Sequence, residues 1–157
     1  MARAIKRVAA GAAVLAAAQA SGLCGNADPG DVWGLWFTPD RDSLVLIADC
    51  GDGTPCGTVQ WVDPLRAQVT HDEHNPDAAL RGRPMEGVQL LSGFEETEHG
   101  WKGGAIYHPG QGRTYRARVR REDEDALRVS GCVGPVCKGM TWHRAPDELS
   151  ARVARAD

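Results

Sequence analysis

The spacing of apolar residues from residue 33 onward limits the fold most. They fall in short runs or strict alternation, and nearly every run is bounded by Gly, Pro, Asp or Asn. The clearest case is "RTYRARVRRE" (113–122), where Tyr115, Ala117 and Val119 face one way and Arg116, Arg118 and Arg120 the other. A period of two with one apolar side is a half-buried β-strand with a wet outer face. The same pattern places strands at 33–38, 43–50, 56–62, 88–94, 101–108, 113–122, 126–132 and 137–144. All connections but one are short, so neighbours in sequence should pair antiparallel. A meander of eight strands closes most naturally into an up-and-down barrel, which removes its exposed edges. The expected fold is therefore all-β, an eight-stranded antiparallel up-and-down barrel over 31–144 with a short C-terminal helix in 145–157. In that tail Pro146 suits a first turn, Asp147 and Glu148 complement the N-terminal end of a helix dipole, and Arg152 and Arg155 complement the other end. Leu149 and Val153 form a narrow stripe able to dock outside the barrel.

The exception among the connections is 63–86, with Pro64, Pro76 and Pro84, many charges and no sustained period. It reads as a long loop with one helical turn at 76–80. Long ordered loops in compact domains are uncommon and often functional.

Residues 1–27 read as a signal peptide. Arg3, Lys6 and Arg7 make a positive start, 8–18 is an apolar run too short to span a bilayer, and Ala18-Gln19-Ala20 is a small-x-small cleavage site. Gly25-Asn26-Ala27 offers a second site. Cutting after Ala20 leaves Cys24 as an odd fifth cysteine, whereas cutting after Ala27 leaves an even four. Leu23 is too large to precede a lipid-bearing cysteine comfortably. The expected location is periplasmic or secreted, with no transmembrane segment, because no stretch reaches ~18 uninterrupted apolar residues. Loss of Arg3, Lys6 and Arg7 takes the formal net charge from −3 to −6. That balance argues against a nucleic-acid partner, which calls for a basic footprint.

Export also bears on the cysteines. Cys50 and Cys56, like Cys132 and Cys137, are spaced too widely for the Cys-x2-Cys of redox motifs and most zinc knuckles. Disulfides form and persist in an oxidising compartment. Four cysteines allow three pairings, and local pairing is favoured because short loops close at low entropic cost. Each bridge would contribute roughly 2–2.5 kcal/mol if unstrained. Cross-pairing and a metal or redox role remain the alternatives.

Several strings occur together in order: "GLW" (34–36), Cys50 with "CGTVQW" (56–61), "DEHNPDAALRGRP" (72–84), "GGAIYHPGQGRTY" (103–115), "VSGCVG" (129–134) and "TWHR" (141–144). On these the chain resembles the bacterial family known as domain of unknown function 2147, over roughly 31–144. The resemblance implies a secreted or periplasmic lipocalin-like (calycin) barrel and no established activity, ligand or catalytic residue. His108 stands where the family often has Asp, Pro55 where it often has Leu, and Met85 where Leu is usual. The resemblance also implies a Trp near the start of the first strand packed under an Arg from the last, and the matching positions are Trp36 and Arg144. There the indole would plug the barrel base while the planar guanidinium stacks on its face.

Candidate chemistry is sparse. His71, Asp72, His74, Asn75 and Asp77 cluster in the long loop, but their spacing fits no standard metal motif, and Asp or Asn beside Pro also fixes turns. No metal and no cofactor are expected. Asp72 and Asn75 are retained as candidate ligand contacts. Ser21, Ser43, Ser92, Ser130 and Ser150 are the serines, and none sits in a Gly-x-Ser-x-Gly elbow. No catalytic constellation is recognised. Arg113, Arg116, Arg118, Arg120, Arg121 and Arg128 form either a basic stripe toward an anionic envelope polymer or a solvated wall neutralised by 122–125. Trp61, Trp101, Tyr107 and Tyr115 fall where strands are expected to face inward, as core fillers or as the lining of a pocket. The leading expectation is an exported barrel that binds a small hydrophobic or amphipathic molecule or an envelope component. A non-catalytic surface interaction module is the alternative, and an unrecognised hydrolase comes third.

Overall fold

Alternation, short turns and the need to pair every edge produce a closed antiparallel barrel in the computed structural model, which describes residues 27–153, without the side chains of 152 and 153. Residues 1–26, which hold nearly all of the segment read as a signal peptide together with Cys24, and residues 154–157 lie outside the described residues. The strands are β1 (Gly34–Phe37), β2 (Ser43–Asp49), β3 (Pro55–Val62), β4 (Gln89–Ser92), β5 (Glu95–Thr97), β6 (Gly100–His108), β7 (Arg113–Arg121), β8 (Ala126–Val133) and β9 (Val136–Arg144). Nine strands make eight staves. β4 and β5 both pair with β6, β4 through Leu91–Ile106 and β5 through Glu96–Trp101. They are one stave broken at Gly93 and Phe94, where Phe94 is buried in the core. β4 also pairs with β3, and β1 pairs with β9, so the sheet closes on itself.

Inward residues build one large core of Trp36, Val45, Ile47, Val59, Val62, Leu91, Phe94, Trp101, Val119, Leu127, Val129 and Trp142, among others. A second, smaller cluster lies on the outer wall. Leu35 and Leu44 are buried there with Ala145, and Leu149 of helix α1 (Asp147–Val153) packs over them. The helix thus covers apolar residues that alternation turns outward on β1 and β2.

The two barrel ends differ. At one end the segment 27–33 crosses the opening: Val32 is fully buried, and Arg121 N donates to Pro29 O at 3.0 Å. The Trp101 indole N–H donates to Gly30 O at 2.8 Å, the Trp36 indole N–H to Val32 O at 2.9 Å. The edge of Trp33 meets Trp101 with ring centroids 6.0 Å apart. This end is plugged. Arg144 completes it, with its guanidinium 4.3 Å from the Trp36 ring centroid and its Nε donating to Glu124 O at 3.0 Å. Burial depresses the Arg144 pKa, helped by nearby Arg121, while Asp31, Asp125 and Asp147 oppose the shift. The other end carries the long connection. Disulfides Cys50–Cys56 and Cys132–Cys137 clip hairpins at opposite ends, where β2–β3 and β8–β9 turn.

Two residues depart from the inward facing that alternation predicts. Tyr107 lies one position past the inward Ile106–Tyr115 pair, opposite Thr114, because β6 is irregular between Trp101 and Gly104. Trp61 is 38% exposed. Val45 opposes Val59 while Leu44 opposes Trp61, so Gln60 is an extra residue on β3. Such a bulge reverses the facing of everything beyond it. Trp61 turns out beside Leu44, and Val62 turns into the core instead.

Candidate functional site

The open end is covered by residues 63–88, and each part of that cover has an identifiable fastening. Its start is tied to the β1–β2 turn, Asp63 N donating to Asp42 O at 2.7 Å and the Arg66 guanidinium to Asp40 O at 2.9 Å. Its end is tied to β3, with Gly87 N on Val59 O at 2.8 Å and Val59 N on Val88 O at 3.0 Å. In between the chain doubles back, Asp72 N donating to Arg83 O at 3.1 Å and Met85 N to Thr70 O at 3.0 Å. Asp77 caps a single 3-10 turn, Ala78–Leu80.

Asp72 is the centre of this cover and is 0% exposed. A buried carboxylate is tolerated only with charge-assisted partners. Asp72 has them on both oxygens: Tyr107 Oη donates at 2.5 Å, Asn75 Nδ2 at 2.6 Å, and the Arg83 fork at 2.8 and 3.1 Å. Asn75 also shapes the turn, accepting at Oδ1 from Asp77 N at 2.8 Å, while Arg81 Nε donates to the Asn75 carbonyl at 2.8 Å. Both Asp72 and Asn75 are spent on holding the cover to β6 through Tyr107. The backbone at His74 presses on the β6–β7 turn, where a Cβ at position 112 would lie 1.7 Å from His74 O; only Gly112, at φ 59°, fits. His71 and His74 point to solvent while Asp72 points in, so the loop cluster splits by facing. Among the described residues, no group of three or more His, Cys, Asp and Glu side chains is placed to hold a metal.

Burial is the largest single influence on Asp72 and pushes its carboxyl up. The hydrogen bonds from Tyr107, Asn75 and Arg83, with the Arg83 charge, outweigh it and hold the group below its ordinary value. Burial, then the Asp72 hydrogen bond and charge, pushes Tyr107 up to about 12. The depressed carboxyl contributes stability that is present above the unfolded carboxylate pKa of ~3.9 and is lost as pH falls through the folded value. The raised phenol contributes stability that is present below the unfolded tyrosine pKa of ~10 and is lost as pH climbs toward its folded value. In Tyr107→Phe the fall in melting temperature over that alkaline interval should be shallower than in the parent. Parallel alkaline limbs in the two proteins would show that Tyr107 titrates as it does in the unfolded chain.

Beneath the cover lies a cleft of about 440 Å³. Val59, Val62, Ala67, Val69, Met85 and Leu90 supply its apolar lining; Thr38, Asp40, Asp42, Ser43, Gln68, His108 and Gln111 supply its polar groups. Continuing the β1–β9 register past Phe37–His143 sets Trp142 beside Thr38. The Trp142 indole N–H is buried and has no acceptor among the described residues. The four aromatics singled out from sequence lie elsewhere. Trp61 is outside, Trp101 belongs to the plugged end, Tyr107 bonds Asp72, and Tyr115, partly buried against the core, bonds Gln111. The apolar part of the lining is aliphatic, and the residues of 67–69 that close it carry no periodic signal in the sequence.

Asp42, Ser43 and His108 share this cleft, which raises the question of a hydrolytic triad. The Ser43 hydroxyl donates directly to Asp42 Oδ1 at 3.2 Å, and Thr38 donates to the same oxygen at 2.9 Å. His108 makes no hydrogen bond to Ser43. A triad needs the base between the hydroxyl and the carboxylate, and here the order is wrong.

Among solved structures, the chain is similar to protein HP1028 from the human pathogen Helicobacter pylori, described as belonging to the lipocalin family. The TM-score is 0.65 at 25% identity, over 80% of this chain and 90% of that one. No curated protein matches. A lipocalin-like barrel with a covered cleft at its mouth suits a small-molecule-binding module. The model of a family described as uncharacterized protein conserved in bacteria (DUF2147) matches residues 34–144, nearly the whole barrel, and the chain belongs to that family.

Proposed function

We propose that this protein is an exported, non-catalytic barrel that holds a small, partly apolar molecule in the cleft at its mouth. The cleft itself carries the reading: about 440 Å³, with an aliphatic part from Val59, Val62, Val69, Met85 and Leu90 and a polar part that includes Asp40, Asp42 and His108. Apolar area that supplies affinity, beside polar groups that set orientation, is usual for small-molecule pockets. The signal-like residues 1–27 and the two disulfides support a periplasmic or secreted setting. In this reading Val62, Val69, Met85 and Leu90 contact the ligand, and Asp72 and Asn75 act by holding the cover.

The test uses an environment-sensitive amphipathic dye, 1-anilinonaphthalene-8-sulfonate. The folded protein should enhance its fluorescence saturably, and Leu90→Trp, which fills the cleft from β4, should weaken binding about tenfold or more with little change in melting temperature. Equal dye binding by parent and Leu90→Trp would remove the mouth from consideration.

A further inference from the structure

A second groove, of about 560 Å³, runs over the outer wall from the β5–β6 turn across β6, β7 and β8 to the start of β9. Its polar lining includes His99, Lys102, Arg118, Arg120, Arg128 and Ser130. These side chains are on the opposite side of the wall from the core, so the groove is independent of the mouth.

The charges here are arranged against the interest of folding. Arg120 and Arg128 are directly opposed in the β7–β8 register, and like charges facing across strands are destabilising. Glu122 pairs with Arg120 at 3.0 Å, and Glu95 stands opposite Lys102 in the β5–β6 register. Arg118 and Arg128 have no carboxylate within ion-pair distance among the described residues. Among the described residues, the only side-chain hydrogen bond of Arg128 is a long one, 3.5 Å, to Thr141 Oγ1. Position 139 keeps the wall bare for it: a Cβ there would lie 2.3 Å from Arg128 Nε, so only Gly139 lets the guanidinium lie across β9. Two uncompensated guanidiniums at the centre of a groove, on a chain of net charge −3, amount to a segregated positive site on an acidic molecule.

We infer that this groove binds a linear anionic polysaccharide, with sugar carboxylates seated on Arg118 and Arg128. Guanidinium forks take planar carboxylates in bidentate fashion, which suits Arg over Lys at those two positions. The groove crosses several strands at ~4.8 Å spacing, so it is longer than a single sugar and suits a chain. Single-stranded nucleic acid would call for a row of exposed aromatic platforms; in the lining Trp101 is 6% exposed, which leaves the single His99 ring. A bilayer is excluded by shape, because its flat surface does not enter a groove.

Calorimetric titration with an oligogalacturonate hexamer tests this, with the neutral maltohexaose and a thymidine oligonucleotide as the other arms. The acidic hexamer should bind at low salt, weaken as salt is raised, and outcompete both controls. Arg118→Gln with Arg128→Gln should lower its affinity about tenfold or more, while Arg113→Gln, on the same strand but outside the groove, leaves it unchanged. Dye binding at the mouth should be the same in all three proteins, which separates failure here from failure of the mouth reading. Absence of hexamer binding at low salt, unchanged affinity in the double variant, or equal binding of the oligonucleotide would each overturn the assignment.

Discussion

Asp72→Ala should cost about 2–4 kcal/mol of unfolding free energy at neutral pH, more than any other substitution in the 63–88 cover. The carboxylate receives Tyr107, Asn75 and both arms of the Arg83 fork, and it is the one charged group that is fully buried among the described residues. Its removal strands the Tyr107 hydroxyl and the Asn75 amide away from water, each an unmade hydrogen bond worth about 1–3 kcal/mol. Arg83 adds less, because its side chain is 38% exposed and water can solvate it once the partner is gone. Asp72→Asn should lose nearly as much, since an amide cannot accept from all three donors and brings a donor of its own. Urea unfolding gives the magnitude, and hydrogen exchange gives the location. Protection should fall at 70–85 before the strands are affected. A loss under about 1 kcal/mol, or exchange that rises uniformly over the barrel, would mean that the cover is held by its apolar contacts instead.

Trp36→Ala should destabilise by about 3–5 kcal/mol, the range for an aromatic deleted from a packed interior. The position is more demanding than an ordinary core site. β1 and β9 pair only through Trp36–Arg144 and Phe37–His143, so the seam that closes the barrel has little ladder to hold it. Ala145 N adds one backbone bond to Leu35 O at 2.9 Å, and side chains carry the rest: the indole N–H ties the seam to Val32, and the Arg144 guanidinium stacks on the indole and reaches the Glu124 carbonyl. Arg144→Ala removes the stacking, worth about 0.5–2 kcal/mol, and exposes the plugged end. Arg118→Ala, on the outer wall, should stay within about 0.5 kcal/mol. Equal small losses at Arg144 and Arg118 would show that the seam does not depend on its stacked pair.

What could be read from sequence, and what could not, follows from the range of each signal. Alternation is local and strong, so the staves and their antiparallel order were legible from runs such as 113–122, and the hairpin cysteines were legible because their spacing is short. Trp61 was not, because one inserted residue, Gln60, reverses facing without disturbing the apolar content of β3. The break in the fourth stave had no signal beyond Gly93, as Phe94 and Glu95 continue an acceptable strand composition. The cover is the largest gap. Asp72 and Asn75 could be seen as turn formers, and Asn75 does shape its turn. The residues that make Asp72 a buried anchor, Arg83 and Tyr107, lie 11 and 35 positions away, and only the closed barrel brings them together. The basic stripe was legible as composition, whereas the uncompensated pair within it depended on the cross-strand register and on Gly139.

Native mass spectrometry of the protein, purified from its own bacterium without denaturation, decides whether a ligand occupies the mouth. A stoichiometric small-molecule adduct is expected on the parent, absent from Leu90→Trp purified in the same way and retained by Arg118→Gln. A parent protein that flies at its bare mass and also fails to enhance the dye, or an adduct that survives Leu90→Trp unchanged, would contradict that expectation.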